Sequence, residues 1–247
     1  MRTRLTPLAV RPRGWWFDLL MLAGFVALSV ALARGHLLHL DQSLADWTDR
    51  HHPAVLYWPA RVLNYLGQGG QVLMPVAIVL AALVTWRRRS IRPLLVFVSA
   101  FVLTYVTIGP LKLWFDRAAP HSKLPDKVTL FNHDAGEYTL GYPSGHVANA
   151  LVWYGVIALL LNALLRSYGR ETLSPRAYLA FRVLPPVIVF CTTTYLSFHW
   201  ITDSVAGLFL GLILTRLMAR VPWDTVPLPH LRAGWDRPAD LSPTAVR

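Results

Sequence analysis

Six long apolar stretches, separated by polar segments, dominate the pattern of hydrophobic and polar positions along the 247-residue chain. They cover residues 15–33, 71–86, 93–111, 147–165, 179–198 and 201–218. An α-helix needs about 20 mainly apolar residues to cross a bilayer, so each stretch predicts a membrane span. The second stretch is short, and we expect it to extend back towards Leu66. The pattern predicts an all-α integral membrane protein, with one six-helix domain over residues 1–220 and a flexible tail over 221–247.

The composition supports this prediction. Hydrophobic residues make up 54% of the chain and charged residues 15%, whereas about a quarter of the residues of a soluble domain are charged. The single cysteine, Cys191, excludes a disulfide within the chain. The first apolar stretch is long and lacks a small-residue cleavage site, so we expect a retained span and not a cleaved signal peptide.

The basic residues indicate how the spans are oriented. If six spans alternate, most arginines fall on the side of both termini, which the positive-inside rule assigns to the cytoplasm. These are Arg2, Arg4, Arg11, Arg13, Arg87, Arg88, Arg89, Arg92, Arg166, Arg170, Arg176, Arg216, Arg220, Arg232, Arg237 and Arg247. Arg34, Arg50 and Arg61 fall on the other side. This distribution explains the net charge of +11 without nucleic acid, because no basic stripe interleaved with aromatic residues is present.

Three segments then face the extracytoplasmic side. The first is 35–65, where Leu40, Leu44 and Trp47 recur at helical spacing and predict a helix in the membrane interface. The second segment is 112–146, and the third is the tight turn between the last two spans. The residues best suited to chemistry lie in the second and third segments.

Pro143, Ser144, Gly145 and His146 stand where the second outer segment meets the fourth span. Gly145 has no side chain, so a ligand can approach the backbone N–H groups closely. Ser144 predicts a helix N-cap, and the N-terminus of a helix favours an anion. His146 would lie beside that anion. A helix start with an interfacial histidine explains these four residues equally well when they are taken alone.

His199 and Asp203 are four residues apart, which places both on one face of a helix. Asp203 can accept a hydrogen bond from one imidazole nitrogen of His199 and leave the other nitrogen free to attack. An ionisable pair at the end of a membrane span is costly and therefore indicates a functional site. A purely structural pair is the alternative.

Basic side chains follow the third span on the same side. Lys112 and Arg117 can neutralise a phosphate group, although cations at this depth also commonly extend to lipid headgroups. We do not expect a metal site, because the spacing of the outer histidines fits no standard ligand pattern. These histidines are His36, His39, His51 and His52.

Together these residues predict phosphoryl transfer through a phosphohistidine, without a metal or another cofactor. His199 would attack phosphorus, Asp203 would orient it, and His146 would protonate the leaving oxygen. Basic side chains and backbone N–H groups would hold the charged phosphate oxygens. The residues that supply these groups are Lys112, Arg117, Ser144 and Gly145.

The chain resembles the type 2 phosphatidic acid phosphatase (PAP2) superfamily. Its members carry three motifs in order: Lys-x6-Arg-Pro, Pro-Ser-Gly-His and Ser-Arg-x5-His-x3-Asp. The second motif matches fully at residues 143–146, and the third matches in its second half at His199 and Asp203. The first matches at Lys112 and Pro120. The resemblance implies a six-span bundle whose active site, at the outer membrane face, acts on a lipid-linked phosphate ester.

The sequence departs from the family pattern at both phosphate-binding arginines. Ala119 stands where the first motif has an arginine, and Thr193 stands where the third motif has one. The loss of two charge-assisted contacts would weaken phosphate binding by about 1.5–3 kcal/mol each. Arg117 is a candidate substitute because it lies two residues from the first position, and Thr193 can donate one neutral hydrogen bond.

The resemblance therefore implies a lipid phosphate phosphatase and leaves two alternatives. One is a lipid phosphotransferase, since such relatives keep both histidines and the aspartate, lack the arginines and move a phosphoryl headgroup between lipid alcohols. The other is a catalytically inactive lipid-binding protein. A channel or transporter is less favoured, because Gly207 and Gly211 on the last span indicate close helix packing. The expected partners are membrane lipids and a phospholipid or isoprenyl phosphate substrate.

Overall fold

The computed structural model describes residue 12 and residues 14–137, 140–228 and 234–242. Eight α-helices follow one another within these ranges. They are α1 (Trp16–Ala33), α2 (Leu38–Arg50), α3 (Ala54–Asn64), α4 (Met74–Arg88), α5 (Arg92–Phe115), α6 (Gly145–Ser167), α7 (Pro175–Tyr195) and α8 (Ile201–Arg220). Arg2, Arg4, Arg11, Arg13, Arg232 and Arg247, which contributed to the predicted orientation, lie outside the described residues.

Six helical segments are long and apolar enough to cross a membrane, which confirms the predicted fold class. Five of them are α1, α5, α6, α7 and α8. The remaining one, Gly69–Arg88, begins with a turn of π-helix over Gly69–Leu73 that leads directly into α4. This turn supplies the extension towards Leu66 that the sequence predicted.

Helix α6 lies at the centre of the bundle. It contacts α4, α5, α7 and α8, and its Trp153 and Leu160 side chains are fully buried. Two glycines allow α8 to approach α6 closely. A Cβ atom at Gly207 would lie 2.5 Å from the carbonyl oxygen of Ser144, and one at Gly211 would lie 3.0 Å from the Cα of Ala148. The last span therefore packs against α6 as the two glycines predicted.

The outer segment 35–65 forms two helices, α2 and α3, where the sequence predicted one. Helix α2 contacts α7 and α8, and α3 contacts α7. They lie at the same end of the bundle as residues 116–137, residues 140–144 and the turn 196–200, and we call this end the site end. At the other end, the tail end, the α4–α5 and α6–α7 connections meet the C-terminal segment.

The described part of the C-terminal segment departs from the flexible tail that the sequence predicted. The buried guanidinium of Arg92 donates hydrogen bonds to the carbonyl oxygens of Trp223, Val226, Asp236 and Arg237. The Asp224 carboxylate accepts hydrogen bonds from the backbone N–H groups of Ala239 and Leu241. Trp223, Ala239 and Leu241 are buried. These few apolar side chains, together with a buried arginine that needs acceptors, explain the packing of the segment.

Replacing Gly207 with alanine should destabilise the fold, because the new Cβ would collide with the Ser144 carbonyl oxygen, and backbone cannot rotate away as a side chain can. We expect a loss of about 1–3 kcal/mol, visible as a lower melting temperature of the detergent-solubilised protein. Gly109→Ala in α5 is the matched control, since no described atom beyond its own stretch of helix lies within 4 Å of its Cβ position. Equal melting temperatures of the two variants would contradict close packing of α6 and α8.

Candidate active site

Two histidines meet at the site end of the bundle. His146 lies in the first turn of α6, whose N-cap residue is Ser144; its Oγ accepts a hydrogen bond from the backbone N–H of Val147. His199 lies in the turn between α7 and α8, and its backbone N–H donates to the Thr193 carbonyl oxygen. Nδ1 of His146 is 3.3 Å from Nε2 of His199. Both predicted histidines therefore face each other, although they are 53 residues apart.

Asp203 stands behind His199, in the first turn of α8. Its Oδ2 lies 3.5 Å from Nδ1 of His199, which is longer than an ordinary hydrogen bond. The same oxygen accepts a hydrogen bond from the backbone N–H of Trp200 and so caps the start of α8. A Cβ atom at Gly141 would lie 2.7 Å from this oxygen, so only glycine allows residues 140–142 to pass so close to the carboxylate.

Arg117 is enclosed by protein groups. Its side chain is fully buried, and its guanidinium donates to Asp203 Oδ1 at 2.6 Å and to Asp41 Oδ2 at 2.6 Å. Two further hydrogen bonds go to Thr202 Oγ1 and to the Val128 carbonyl oxygen. These contacts differ from the sequence prediction that Arg117 binds phosphate. The physical reason is that two buried carboxylates require a counter-cation, and Arg117 is that cation.

The other predicted phosphate-binding residues surround the start of α6. Lys112 Nζ donates to the carbonyl oxygens of Leu140 and Gly141, at 2.5 and 3.3 Å, and Lys112 Cε approaches Gly145. The first N–H groups of α6, at Gly145 and His146, have no partner within their own helix. Ser144 is fully buried, so its hydroxyl serves the helix and not an open site.

The two positions that lack the family arginines are closed. Ala119 and Thr193 are both fully buried. The Thr193 hydroxyl makes no hydrogen bond to any described residue, and its carbonyl oxygen accepts the backbone N–H groups of Phe198 and His199. Thr193 therefore positions the turn that carries His199 through its backbone.

Burial decides the protonation of His199. The side chain is 4% exposed, and removal from water lowers the pKa of its imidazole below the ordinary value of 6.5, although the Asp203 carboxylate acts in the opposite direction. The ring is therefore neutral at neutral pH, so one of its nitrogens carries the free electron pair that a nucleophile needs.

Three site residues had no predicted role. Asp41, from α2, completes the buried ion pairs. Phe198 stacks on the His146 ring with centroids 6.4 Å apart, and the exposed guanidinium of Arg61, from α3, lies 5.6 Å from the centroid of the Phe198 ring. The position of Phe198 directly before His199 could have identified Phe198 as a site residue. Nothing in the sequence connected α2 or α3 to the two histidines.

The outer histidines that could have suggested a metal site are dispersed. His51 Nδ1 lies 2.7 Å from the Trp47 carbonyl oxygen, and His52 Nε2 lies 2.6 Å from the Tyr195 carbonyl oxygen. His39 Nδ1 lies 3.3 Å from Ser43 Oγ. Among the residues that the structure describes, no three His, Cys, Asp or Glu side chains converge as metal ligands.

Comparison with known proteins adds three findings. The family model described as the PAP2 superfamily matches residues 93–227, more than half of the chain. Phosphatidylglycerophosphatase B of Bacillus subtilis (strain 168) is 30% identical over 159 residues, which cover 63% of this chain and 70% of that protein. The crystal structure of the first transmembrane PAP2-type phosphatidylglycerolphosphate phosphatase from Bacillus subtilis aligns with a TM-score of 0.64 and 21% identity, over 82% of this chain and 94% of that chain. At this identity the last likeness shows the fold alone.

Arg117→Ala should unfold the site end, because it leaves two buried carboxylates without a cation. Breaking a buried ion pair in this way costs about 3–5 kcal/mol, so we expect a large fall in melting temperature or no folded protein. Arg117→Lys keeps the positive charge but lacks the planar guanidinium, so its melting temperature should fall less than that of Arg117→Ala. Arg50→Ala is the control, because the exposed Arg50 side chain donates to the Asp46 carbonyl oxygen of its own helix and to no other described residue. A normal melting temperature for Arg117→Ala would show that the network contributes little.

Proposed function

The chain belongs to the PAP2 superfamily, and from this we propose that it is a membrane enzyme that hydrolyses a lipid phosphate monoester through a phosphohistidine on His199. The observation that carries the proposal is the pairing of His146 with His199 at 3.3 Å, with Asp203 behind the second ring. The relative named phosphatidylglycerophosphatase B supports a glycerophospholipid phosphate as the substrate. Isoprenyl phosphates and phosphatidic acid belong to the same chemical class.

The proposed reaction has two steps. Nε2 of His199 attacks phosphorus, the bond to the lipid oxygen breaks, and protonated His146 gives its proton to the departing alkoxide. The neutral His146 then takes a proton from water, whose oxygen attacks the phosphohistidine and releases inorganic phosphate. The direct contact between the rings must open for the phosphoryl group to enter between them. Asp203 holds the His199 ring and stabilises the positive charge that it gains on attack.

Lys112 and the first turn of α6 would bind the phosphate oxygens. The ammonium group of Lys112 lies beside Gly145, and the unpaired N–H groups of the helix start favour an anion. Ser144 and Thr193 contribute by fixing the backbone on either side of this position. We assign Arg117 to positioning Asp203 and not to phosphate binding, because its described contacts all lie within the protein.

Arg61 is the best candidate for an additional positive charge at the phosphate. Its exposed guanidinium lies over Phe198, one residue before His199, and a long arginine side chain can swing towards an arriving anion at little cost. This would offset part of the charge lost at positions 119 and 193.

We further propose that the site end faces the extracytoplasmic side. The described connections at the tail end carry most of the arginines, and the positive-inside rule assigns such an end to the cytoplasm. These arginines are Arg87, Arg88, Arg89, Arg92, Arg166, Arg170, Arg176, Arg216, Arg220 and Arg237. A lipid would then reach the histidines from the outer leaflet.

A lipid phosphotransferase is the second candidate. The absent arginines favour it, because a phosphodiester carries one negative charge where a monoester carries up to two, so a less cationic site suits the diester. The two enzymes differ in the acceptor, which is water in one case and a lipid alcohol in the other.

Purified protein in mixed micelles should release inorganic phosphate from phosphatidylglycerol phosphate, phosphatidic acid or an isoprenyl phosphate. His199→Ala should reduce release to background, and His146→Ala should reduce it by about 10²–10⁴-fold, as expected for loss of a general acid. His51→Ala is the control, since His51 is exposed and contacts its own helix. Headgroup transfer from a phosphodiester lipid without phosphate release would favour the phosphotransferase. Equal rates for wild type and His199→Ala would indicate an inactive protein.

Arg61→Ala should raise the KM for a phosphate monoester about tenfold, the value of one exposed charge-assisted contact, and leave kcat nearly unchanged. Arg50→Ala is the matched control, because it removes the same charge from the same end of the bundle without a contact near Phe198. The phosphate-release assay measures the KM of both variants. Equal KM values for Arg61→Ala and Arg50→Ala would exclude Arg61 from phosphate recognition.

A further inference from the structure

We infer that Asp41 is a positioning residue of the active site: it shares Arg117 with Asp203 and so leaves the negative charge of Asp203 available to His199. The inference deepens the proposed function, on which it rests. It also gives the outer helix α2 a role in the chemistry, although Asp41 precedes Asp203 by 162 residues.

Asp41 is held as a carboxylate by donors alone. Its Oδ2 accepts hydrogen bonds from Arg117 Nη2 and Thr202 Oγ1, both at 2.6 Å, and its Oδ1 accepts one from the Thr202 backbone N–H at 3.1 Å. The Arg117 guanidinium and the Thr202 backbone N–H can only donate, and the Thr202 hydroxyl, which accepts a hydrogen bond from Arg117 Nη1, donates to Asp41. Burial raises the pKa of Asp41, and the Arg117 guanidinium opposes this rise. The guanidinium at 2.6 Å and the backbone N–H, which cannot accept a proton, favour the carboxylate, and Asp41 is taken as ionised when the network is intact.

The charges of the network do not cancel. Arg117 contributes one positive charge, Asp41 and Asp203 contribute two negative charges, and all three side chains are fully buried. Arg117 and Asp203 alone would form a neutral pair whose carboxylate is fully engaged by the guanidinium. With Asp41 present, the guanidinium is divided between two carboxylates, and one negative charge is left to be balanced.

Lys112 and His199 are the neighbours that can balance this charge, and of the two only His199 gains its positive charge during the reaction. Its Nδ1 lies 3.5 Å from Asp203 Oδ2, and its ring becomes positive when Nε2 bonds to phosphorus. The network therefore favours the state after attack more than the neutral ring before it. Such a difference accelerates the chemical step, whereas equal stabilisation of both states would not.

Asp41 also fixes the backbone on which Asp203 stands. Thr202 occupies the second position of α8, where backbone N–H groups have no partner within the helix. Asp41 accepts this N–H from another helix. A purely structural role would follow from this contact alone, so a test must separate charge from packing.

The charged and titratable groups around His199 come from several elements. Asp203 of α8, Lys112 of α5 and His146 of α6 act directly. Arg117 and Asp41 stand behind Asp203, and Asp49 of α2 accepts a hydrogen bond from Ser197 Oγ, two residues before His199. Removing the charge of Asp41 alone withdraws one negative charge from this set. Protonation of His199 then requires a lower pH.

The test compares Asp41→Asn with Asp46→Asn, which removes the same charge from the exposed side of the same helix. Hydrogen–deuterium exchange at the imidazole C2 atom, followed by mass spectrometry across pH, reports the titration midpoint of His199 without turnover. We expect Asp41→Asn to lower this midpoint by about half to one pH unit, given Coulomb interactions at an effective dielectric constant near 20. In the phosphate-release assay, kcat should fall about tenfold with KM within about twofold. Asp46→Asn should match the wild type in both.

Asp41→Glu separates charge from packing and decides the matter even if Asp41→Asn does not fold. It keeps the negative charge and disturbs the fit, so we expect a lower melting temperature with an unchanged His199 midpoint. A shifted midpoint in Asp41→Glu, or an unshifted one in folded Asp41→Asn, would overturn the inference. Wild-type protein that releases no phosphate from any lipid, but shows the expected midpoints, would instead overturn the proposed function and leave the coupling of Asp41 to His199 standing.

Discussion

The site end of the molecule depends on one buried interaction, the guanidinium of Arg117 between the carboxylates of Asp41 and Asp203. Taking three charges out of water costs several kcal/mol per ion, and only short, well-directed hydrogen bonds compensate for it. The Arg117 guanidinium donates such hydrogen bonds to Asp203 Oδ1 and Asp41 Oδ2, both at 2.6 Å. Because its members come from α2, from the segment after α5 and from α8, it fixes three distant parts of the chain relative to each other. The turn that carries His199 ends at the start of α8, where this network is anchored.

Helix packing and site geometry have the same origin. The backbone N–H of Ser144 donates to the Asp203 carbonyl oxygen, so the starts of α6 and α8 are bonded directly to each other. Gly207 makes this approach possible, since a side chain there would occupy the place of the Ser144 carbonyl oxygen. His146 lies two residues after Ser144, and His199 lies four residues before Asp203, so this contact brings the two rings together. The same contact places the start of α6, whose first N–H groups have no partner within the helix and favour an anion, beside the two rings.

The sequence predicts what depends on local order and misses what depends on distant pairing. Six spans are visible because apolar length is a property of a continuous stretch. Asp203 lies near His199, as the short spacing predicted, although His199 stands in the turn before α8 and not on the same helix. The place of Arg117 was invisible, because its spacing from Lys112 suggested a phosphate contact, while its partner Asp41 lies 76 residues earlier. The packed C-terminal segment was missed for a similar reason. Its few apolar residues stand among prolines and polar residues, and buried Arg92, which binds them in place, lies more than 130 residues before them.

The missing arginines and the extra carboxylate are connected by charge. Where the family pattern has two arginines, the buried positions hold Ala119 and Thr193, and Lys112 is a partly buried cation beside the start of α6. A network with one uncompensated negative charge lies behind it. Under the proposed reaction, such a site attracts a phosphate monoester weakly and gains its full complementarity only when the His199 ring becomes positive on attack. Charge that appears only at that stage lowers the barrier without strengthening the binding of the substrate. In the proposed reaction, the phosphoryl group is therefore stabilised less by phosphate-binding side chains than in the family pattern. It is stabilised more by the positive His199 ring and by the carboxylates behind that ring.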